Sequence, residues 1–121
     1  MTTTQPNPRC KRGDVILVLF PNSDLRTAKM RPALMIQADD VQTGLSQVIV
    51  AMITSNMVRA GHPSRVVIRR TTRQGRQSGL LADSVIMTDN LATILDSAID
   101  RVIGTISMKS VDNALRHTLN L

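Results

Sequence analysis

Glutamate is absent from this 121-residue chain, as are tryptophan and tyrosine, and phenylalanine and cysteine occur once each, at Phe20 and Cys10. Each absence narrows the reading. A single cysteine permits no intrachain disulfide and no cysteine-based metal site, so a reducing compartment is implied. No apolar run approaches the roughly 20 residues needed to span a bilayer. The opening Met1-Thr2-Thr3-Thr4-Gln5-Pro6-Asn7-Pro8 lacks the apolar core of a secretion signal. A cytoplasmic location away from membranes is expected. The near absence of aromatics removes ring stacking, the commonest way to hold single-stranded bases, and leaves arginine planes, hydrogen bonds and apolar side chains for that task.

The charge that is present is polarised. All nine acids are Asp, the formal net charge is +6, and no acid falls between Val41 and Ala82. Arg59, Arg65, Arg69, Arg70, Arg73 and Arg76 occupy that interval. From Asp83 onward five acids face Arg101, Lys109 and Arg116. A basic block of this kind suits a polyanion through phosphate contacts and counterion release; a basic surface kept for solubility is the alternative.

The length fits one domain, 11–121, preceded by a polar tail, 1–10, expected to be flexible. Short β-branched runs recur at Val15 to Phe20, Ala33 to Ile36, Val48 to Ile53, Val66 to Ile68, Ser84 to Met87 and Val102 to Ile106, which predicts a small antiparallel barrel. Turn chemistry precedes the first run at Lys11-Arg12-Gly13-Asp14 and the fifth at Gln74 to Gly79. A short helical turn is expected over 96–101. Ser107 is a suitable N-cap, and Met108, Val111, Leu115 and Leu119 share one helical face, predicting a C-terminal helix over 108–119. The methionines adjoin the strand runs and are read as core filling.

Between the first two runs lies Pro21 to Met30, closed by Arg31-Pro32. Proline restricts the residue before it, so Arg31 is expected as a pre-placed cation at a loop-to-strand junction. Thr54-Ser55-Asn56 place hydroxyl and amide groups at the end of the third run. Cations and donors so arranged suit a phosphate.

In order and spacing, Lys11-Arg12-Gly13-Asp14-Val15-Ile16, Arg31-Pro32-Ala33-Leu34, Ile36-Gln37, Ile53-Thr54-Ser55 and Ser78-Gly79-Leu80 with Asp83-Ser84-Val85-Ile86 resemble the MazF/PemK toxins of bacterial toxin-antitoxin pairs. The resemblance runs from about Lys11 to the C-terminus. It implies an α+β fold built on an SH3-like barrel with a C-terminal helix. It also implies a homodimer, cleavage of single-stranded RNA (mRNA) without metal or cofactor, and inhibition by a cognate antitoxin protein. Arg31 and Thr54 then match the family's catalytic arginine and threonine, and Asp24, near where related toxins carry an acid, is the candidate catalytic base. A guanidinium stays ionised at working pH, so Arg31 is assigned charge stabilisation rather than proton transfer.

Arg26, Lys29, Gln37, Ser55 and Asn56 are expected RNA contacts. Arg69, Arg70, Arg73 and Arg76 are expected to guide RNA or to receive an acidic antitoxin tail. Nothing in the sequence brings His62 and His117 together, and an exposed role is expected for each. On the same fold, gyrase-binding CcdB toxins use a C-terminal aromatic that this chain lacks. A catalytically inactive RNA- or antitoxin-binding member is the remaining alternative.

Overall fold

The computed structural model describes residues 10–41 and 43–121. The predicted flexible tail therefore lies outside the described residues, apart from Cys10. Six strands form one antiparallel sheet: β1 (Asp14–Pro21), β2 (Ala28–Met35), β3 (Gln47–Thr54), β4 (Arg65–Ile68), β5 (Ser84–Leu95) and β6 (Ile99–Thr105). Their order across the sheet is β4-β5-β3-β2-β1-β6. Two helices accompany them, α1 (Arg73–Ser78) and α2 (Lys109–Leu119). The α+β, barrel-like architecture agrees with expectation.

Alternation along β1 sorts the core into two layers. Val15 joins Leu34, Ala51, Ile53 and Ile86 in one cluster, completed by Val111 and Leu115 of α2. Ile16 and Val18 face the other way, with Ala33, Met35, Val50, Met52, Ile94 and Ile99. Burying Val111 and Leu115 stabilises α2 on the sheet by about 1.5–3 kcal/mol per side chain. That docking holds a helix too short to persist alone.

The sheet stays open between its edges β4 and β6, and α1, which follows β4 in the chain, packs on β6. Thr72 caps α1, its Oγ1 accepting from the Gly75 N–H at 3.0 Å. The helix ends in left-handed Gly79 (φ 73°), and its last turn lies directly on β6. A Cβ on Gly104 would stand 2.3 Å from the Gln77 carbonyl oxygen, and one on Gly79 would stand 2.0 Å from that of Ile103. Only glycine on both surfaces permits this approach.

Five expectations need correction. The stretch from Gln74 to Gly79 is helical up to Ser78, because Thr72 and Gly79 cap so short a segment at both ends. β2 begins at Ala28, five residues before its apolar run, because its exposed half is held by pairing with β1 from Pro21↔Ala28 to Val18↔Arg31. β5 continues to Leu95, resuming its pairing with β3 after Thr88-Asp89-Asn90, where three extra residues interrupt the register. In α2, Met108 takes the cap position, Ser107 Oγ receives only a long 3.5 Å contact from the Lys109 N–H, and Leu119 is half exposed. The helical turn expected over 96–101 covers only Asp96–Ala98, and β6 begins at Ile99, three residues before its apolar run.

Candidate active site

The β2–β3 ladder runs only over Ala33↔Met52, Leu34↔Ala51 and Met35↔Val50. It stops at Pro32, which has no N–H to offer a neighbouring strand. Below that point β2 remains paired to β1 alone, and an open cleft of about 480 Å³ occupies the seam. Lys29, Arg31 and Pro32 enter it from β2, Ile53, Thr54 and Ser55 from β3 and its end. Met30 of β2, Leu17 of β1, the segment Gly79 to Ala82, Ser84 of β5, and Arg101 and Ile103 of β6 complete it.

Arg31 is thus inside β2 rather than at a loop junction. Among the described residues no carboxylate pairs with its guanidinium and no hydrogen bond occupies it. Four other arginines have acidic partners: Arg12 with Asp112 at 2.6 Å, Arg65 with Asp89 at 2.8 Å, Arg69 with Asp83 at 3.4 Å, and Arg101 with Asp100. An exposed, unneutralised guanidinium in a cleft is available to an anion. Thr54 complements it. Its Oγ1 accepts from the Asn56 N–H at 3.1 Å, which orients the hydroxyl and leaves its O–H to donate.

The β1–β2 loop is organised by Asp24. Its Oδ1 accepts from the N–H of Arg26 at 2.9 Å and of Thr27 at 3.1 Å, and the Thr27 hydroxyl also bonds it. These bonds, led by the Arg26 N–H, hold the Asp24 carboxyl below the usual carboxylate range. Asn22 Nδ2 braces the same Thr27 hydroxyl at 2.8 Å, and Leu25 takes a left-handed conformation (φ 60°). The structure gives Asp24 a loop-holding position and does not place it in the cleft. Arg26 on this loop and Lys29 near the start of β2 have side chains unpaired among the described residues.

Other sequence-derived candidates scatter. Gln37 lies six residues from Arg31, roughly 20 Å along an extended chain. Its Oε1 accepts from the Ile49 N–H at 3.1 Å, and it lines a separate cleft of about 390 Å³ with Asp39 and Asp96. Asn56 Oδ1 caps a 3₁₀ turn by accepting from the Val58 N–H at 3.2 Å, leaving its amide donors outward. Arg70 and Arg76 line a groove of about 470 Å³ that meets the Arg31 cleft at Leu80, common to both. Asp83 accepts from the Arg70 N–H at 2.7 Å and draws in Arg69, so this acid is held below its ordinary pKa, chiefly by the backbone bond. Arg73 sits exposed at the start of α1.

Two features escaped sequence reasoning. Arg101 reaches the cleft from β6, 70 residues beyond Arg31, with no local signal to mark it. The rings of His62 and His117 meet edge to face with centroids 6.2 Å apart, both exposed and away from the cleft. Among the described residues no group of three or more His, Cys, Asp or Glu could hold a metal ion. No described helix is long and apolar enough to cross a membrane.

Fold and cleft together define a small β-barrel protein with unneutralised cations on an open seam. The sequence profile described as PemK-like, MazF-like toxin of type II toxin-antitoxin system matches residues 11–119, and the chain belongs to that family. It is 35% identical over 107 residues to Endoribonuclease MazF2 of Mycobacterium bovis, covering 85% of this chain and 90% of that protein. Among solved structures, an endoribonuclease in complex with its cognate antitoxin from a mycobacterial species superposes with a TM-score of 0.70 at 17% identity, covering 93% of this chain and 96% of that one. Mycobacterium tuberculosis toxin MazF-mt6 gives 0.66 at 24% identity, covering 88% and 97%.

Proposed function

We propose that this chain is a toxin that cuts single-stranded RNA, mRNA in the cell, at specific sequences. The observation that carries the reading is Arg31, unpaired among the described residues, sharing one open cleft with the Thr54 hydroxyl where the β2–β3 ladder stops. The RNA supplies its own nucleophile. Its 2′-oxygen loses a proton and bonds to the adjacent phosphorus. The bond to the 5′-oxygen breaks, and that oxygen takes up a proton, leaving a 2′,3′-cyclic phosphate and a 5′-hydroxyl. Arg31 stabilises the charge that grows on the phosphoryl oxygens with two parallel N–H donors, and Thr54 adds a third from its hydroxyl. A carboxylate acidified and occupied like Asp24 is a weak proton acceptor, so its part is to hold the loop that carries Arg26 and leads into Lys29 of β2.

The strand leaves the cleft past Leu80 into the groove of Arg70 and Arg76, with Arg69 and Arg73 beside it. An acidic antitoxin segment laid along those charges would exclude RNA by occupying the same surface. The toxin is read as a homodimer that acts without a cofactor. Purified protein and Arg31→Ala, incubated with a long single-stranded RNA in EDTA, test this. Discrete cuts bearing 5′-hydroxyl ends are expected from the wild type. A loss of about 10²–10³ in kcat is expected for the variant, the usual effect of removing one donor to a developing oxyanion. A folded wild type that cuts no RNA would refute the nuclease reading and favour an inactive binder or a protein-target toxin.

A further inference from the structure

Arg101, like Lys29, is a cation of the cleft outside the family-like motifs, and its position follows from strand register. Leu17 of β1 is the direct partner of Pro32 on β2 and of Arg101 on β6. Side chains of direct partners project from the same face of a sheet, so Arg101, Leu17 and Pro32 share one face. Ile53, packed with Val15 and Leu34, belongs to that same face, whereas Arg31 pairs with Val18 of the other layer, so the two arginines border the cleft from opposite faces of the sheet. Arg101 is thus set beside the floor of the cleft, two strands or roughly 10 Å from β2. Ile103, two residues on, also lines the cleft.

Its present partner holds it loosely. Asp100 is the adjacent residue, and the pair is exposed, with 65% of the Arg101 side chain and 46% of the Asp100 side chain accessible. Exposed pairs of this kind contribute little and are screened by salt, so a phosphate can displace Asp100 without leaving a buried charge behind. A guanidinium also binds phosphate oxygens bidentately, which a single neighbouring carboxylate in water does not outcompete.

We propose that Arg101 is a substrate-binding residue, gripping a phosphate of the RNA backbone next to the one held by Arg31. The proposal rests on the single-stranded RNA reading of the cleft. It makes the cleft a two-point clamp, with the chemistry at β2 and β3 and a purely binding contact at β6. Arg101 contributes equally to ground state and transition state, so its loss raises KM and leaves kcat unchanged.

The test is the salt dependence of binding to a pool of 2′-O-methylated RNA 20-mers, which cannot be cut, measured by fluorescence anisotropy for wild type, Arg101→Ala, Arg101→Lys and Arg116→Ala. Each phosphate contact to a single strand contributes about 0.7 to the slope of log K against log salt. Arg101→Ala should lower the slope by about 0.7, Arg101→Lys should keep it, and Arg116→Ala, on α2 outside the cleft, should leave it unchanged. Equal slopes for wild type and Arg101→Ala, or equal losses in Arg101→Ala and Arg116→Ala, would overturn the proposal. On long RNA, Arg101→Ala should raise KM several-fold at constant kcat, and a fall in kcat alone would overturn it too. A wild type that binds with the predicted slopes but never cuts removes the nuclease reading and leaves the clamp standing. A wild type that does not bind the pool removes the clamp.

Discussion

Close packing of α1 on β6 predicts a graded response to three alanine substitutions. At Gly61 (φ +86°) nothing lies within 4 Å of a new Cβ, so alanine there meets only the left-handed backbone penalty, about 1 kcal/mol. At Gly104 the new Cβ would stand 2.3 Å from the Gln77 carbonyl oxygen and 2.3 Å from the Ser78 carbonyl carbon. Both are backbone atoms that cannot rotate away, so α1 must shift on β6 by about 1 Å to restore ordinary contact. Overpacking of this severity costs about 3 kcal/mol. Gly79 combines both effects, with φ +73° and a Cβ placed 2.0 Å from the Ile103 carbonyl oxygen, for about 4 kcal/mol. At about 4 °C per kcal/mol for a domain of this size, the expected losses in Tm are about 4, 12 and 16 °C. Circular dichroism melts, with urea titrations to separate stability from changes in m, give the comparison. Because Gly79 to Ala82 and Ile103 also line the cleft, folded Gly104→Ala at 20 °C should cut RNA more slowly than Gly61→Ala. A Gly104→Ala variant that melts no lower than Gly61→Ala would refute this packing of α1 on β6.

Other outcomes follow from the site and its surroundings. Arg31→Lys should recover little of the activity lost in Arg31→Ala, because an ammonium keeps the charge but not the paired donors; single-turnover cleavage rates measure this. Thr54→Val should lower kcat by about 10-fold or more while Thr54→Ser stays near wild type, since only the latter keeps a hydroxyl donor. Asp24→Ala should speed amide exchange at Arg26 and Thr27 near neutral pH. The Asp24 pKa is lowered in the fold, so its hold on the loop is present above the ordinary carboxylate pKa and lost as pH falls through the lowered value. Wild-type protection should therefore approach that of the variant in acid. Burial, with Asp14 and Asp96 adding to it, pushes the Cys10 thiol up to about 11. At pH 9 its thiolate fraction is then about 1%, and iodoacetamide should modify it roughly 50-fold more slowly than a thiol of pKa 9. Equal rates for native and urea-unfolded protein would contradict this.

Much of the architecture is local in origin and therefore legible. Alternating β-branched runs mark β1, β3 and β4 to within a residue or two, because such patterns admit one buried face at a time. The exposed half of β2 carries no such pattern, since pairing with β1 rather than burial makes it a strand. Likewise the polar Thr88-Asp89-Asn90 hides the continuation of β5, because a bulge has no apolar signature. The short α1 is invisible to periodicity, its evidence lying in caps at both ends.

The sequence by itself determined the chemistry available: a basic middle third, one thiol, no glutamate, almost no aromatics, and Arg31 beside a proline. Those are properties of residue identity and nearest neighbours. Tertiary structure alone decided which of these groups meet. The end of the β2–β3 ladder at Pro32 opens the cleft, and the register through Leu17 brings Arg101 to it across 70 residues of chain. Strand direction carries Gln37 away to a different cleft, and three loop donors occupy Asp24. Contacts between residues distant in the chain depend on strand order and register, which composition and local pattern do not encode.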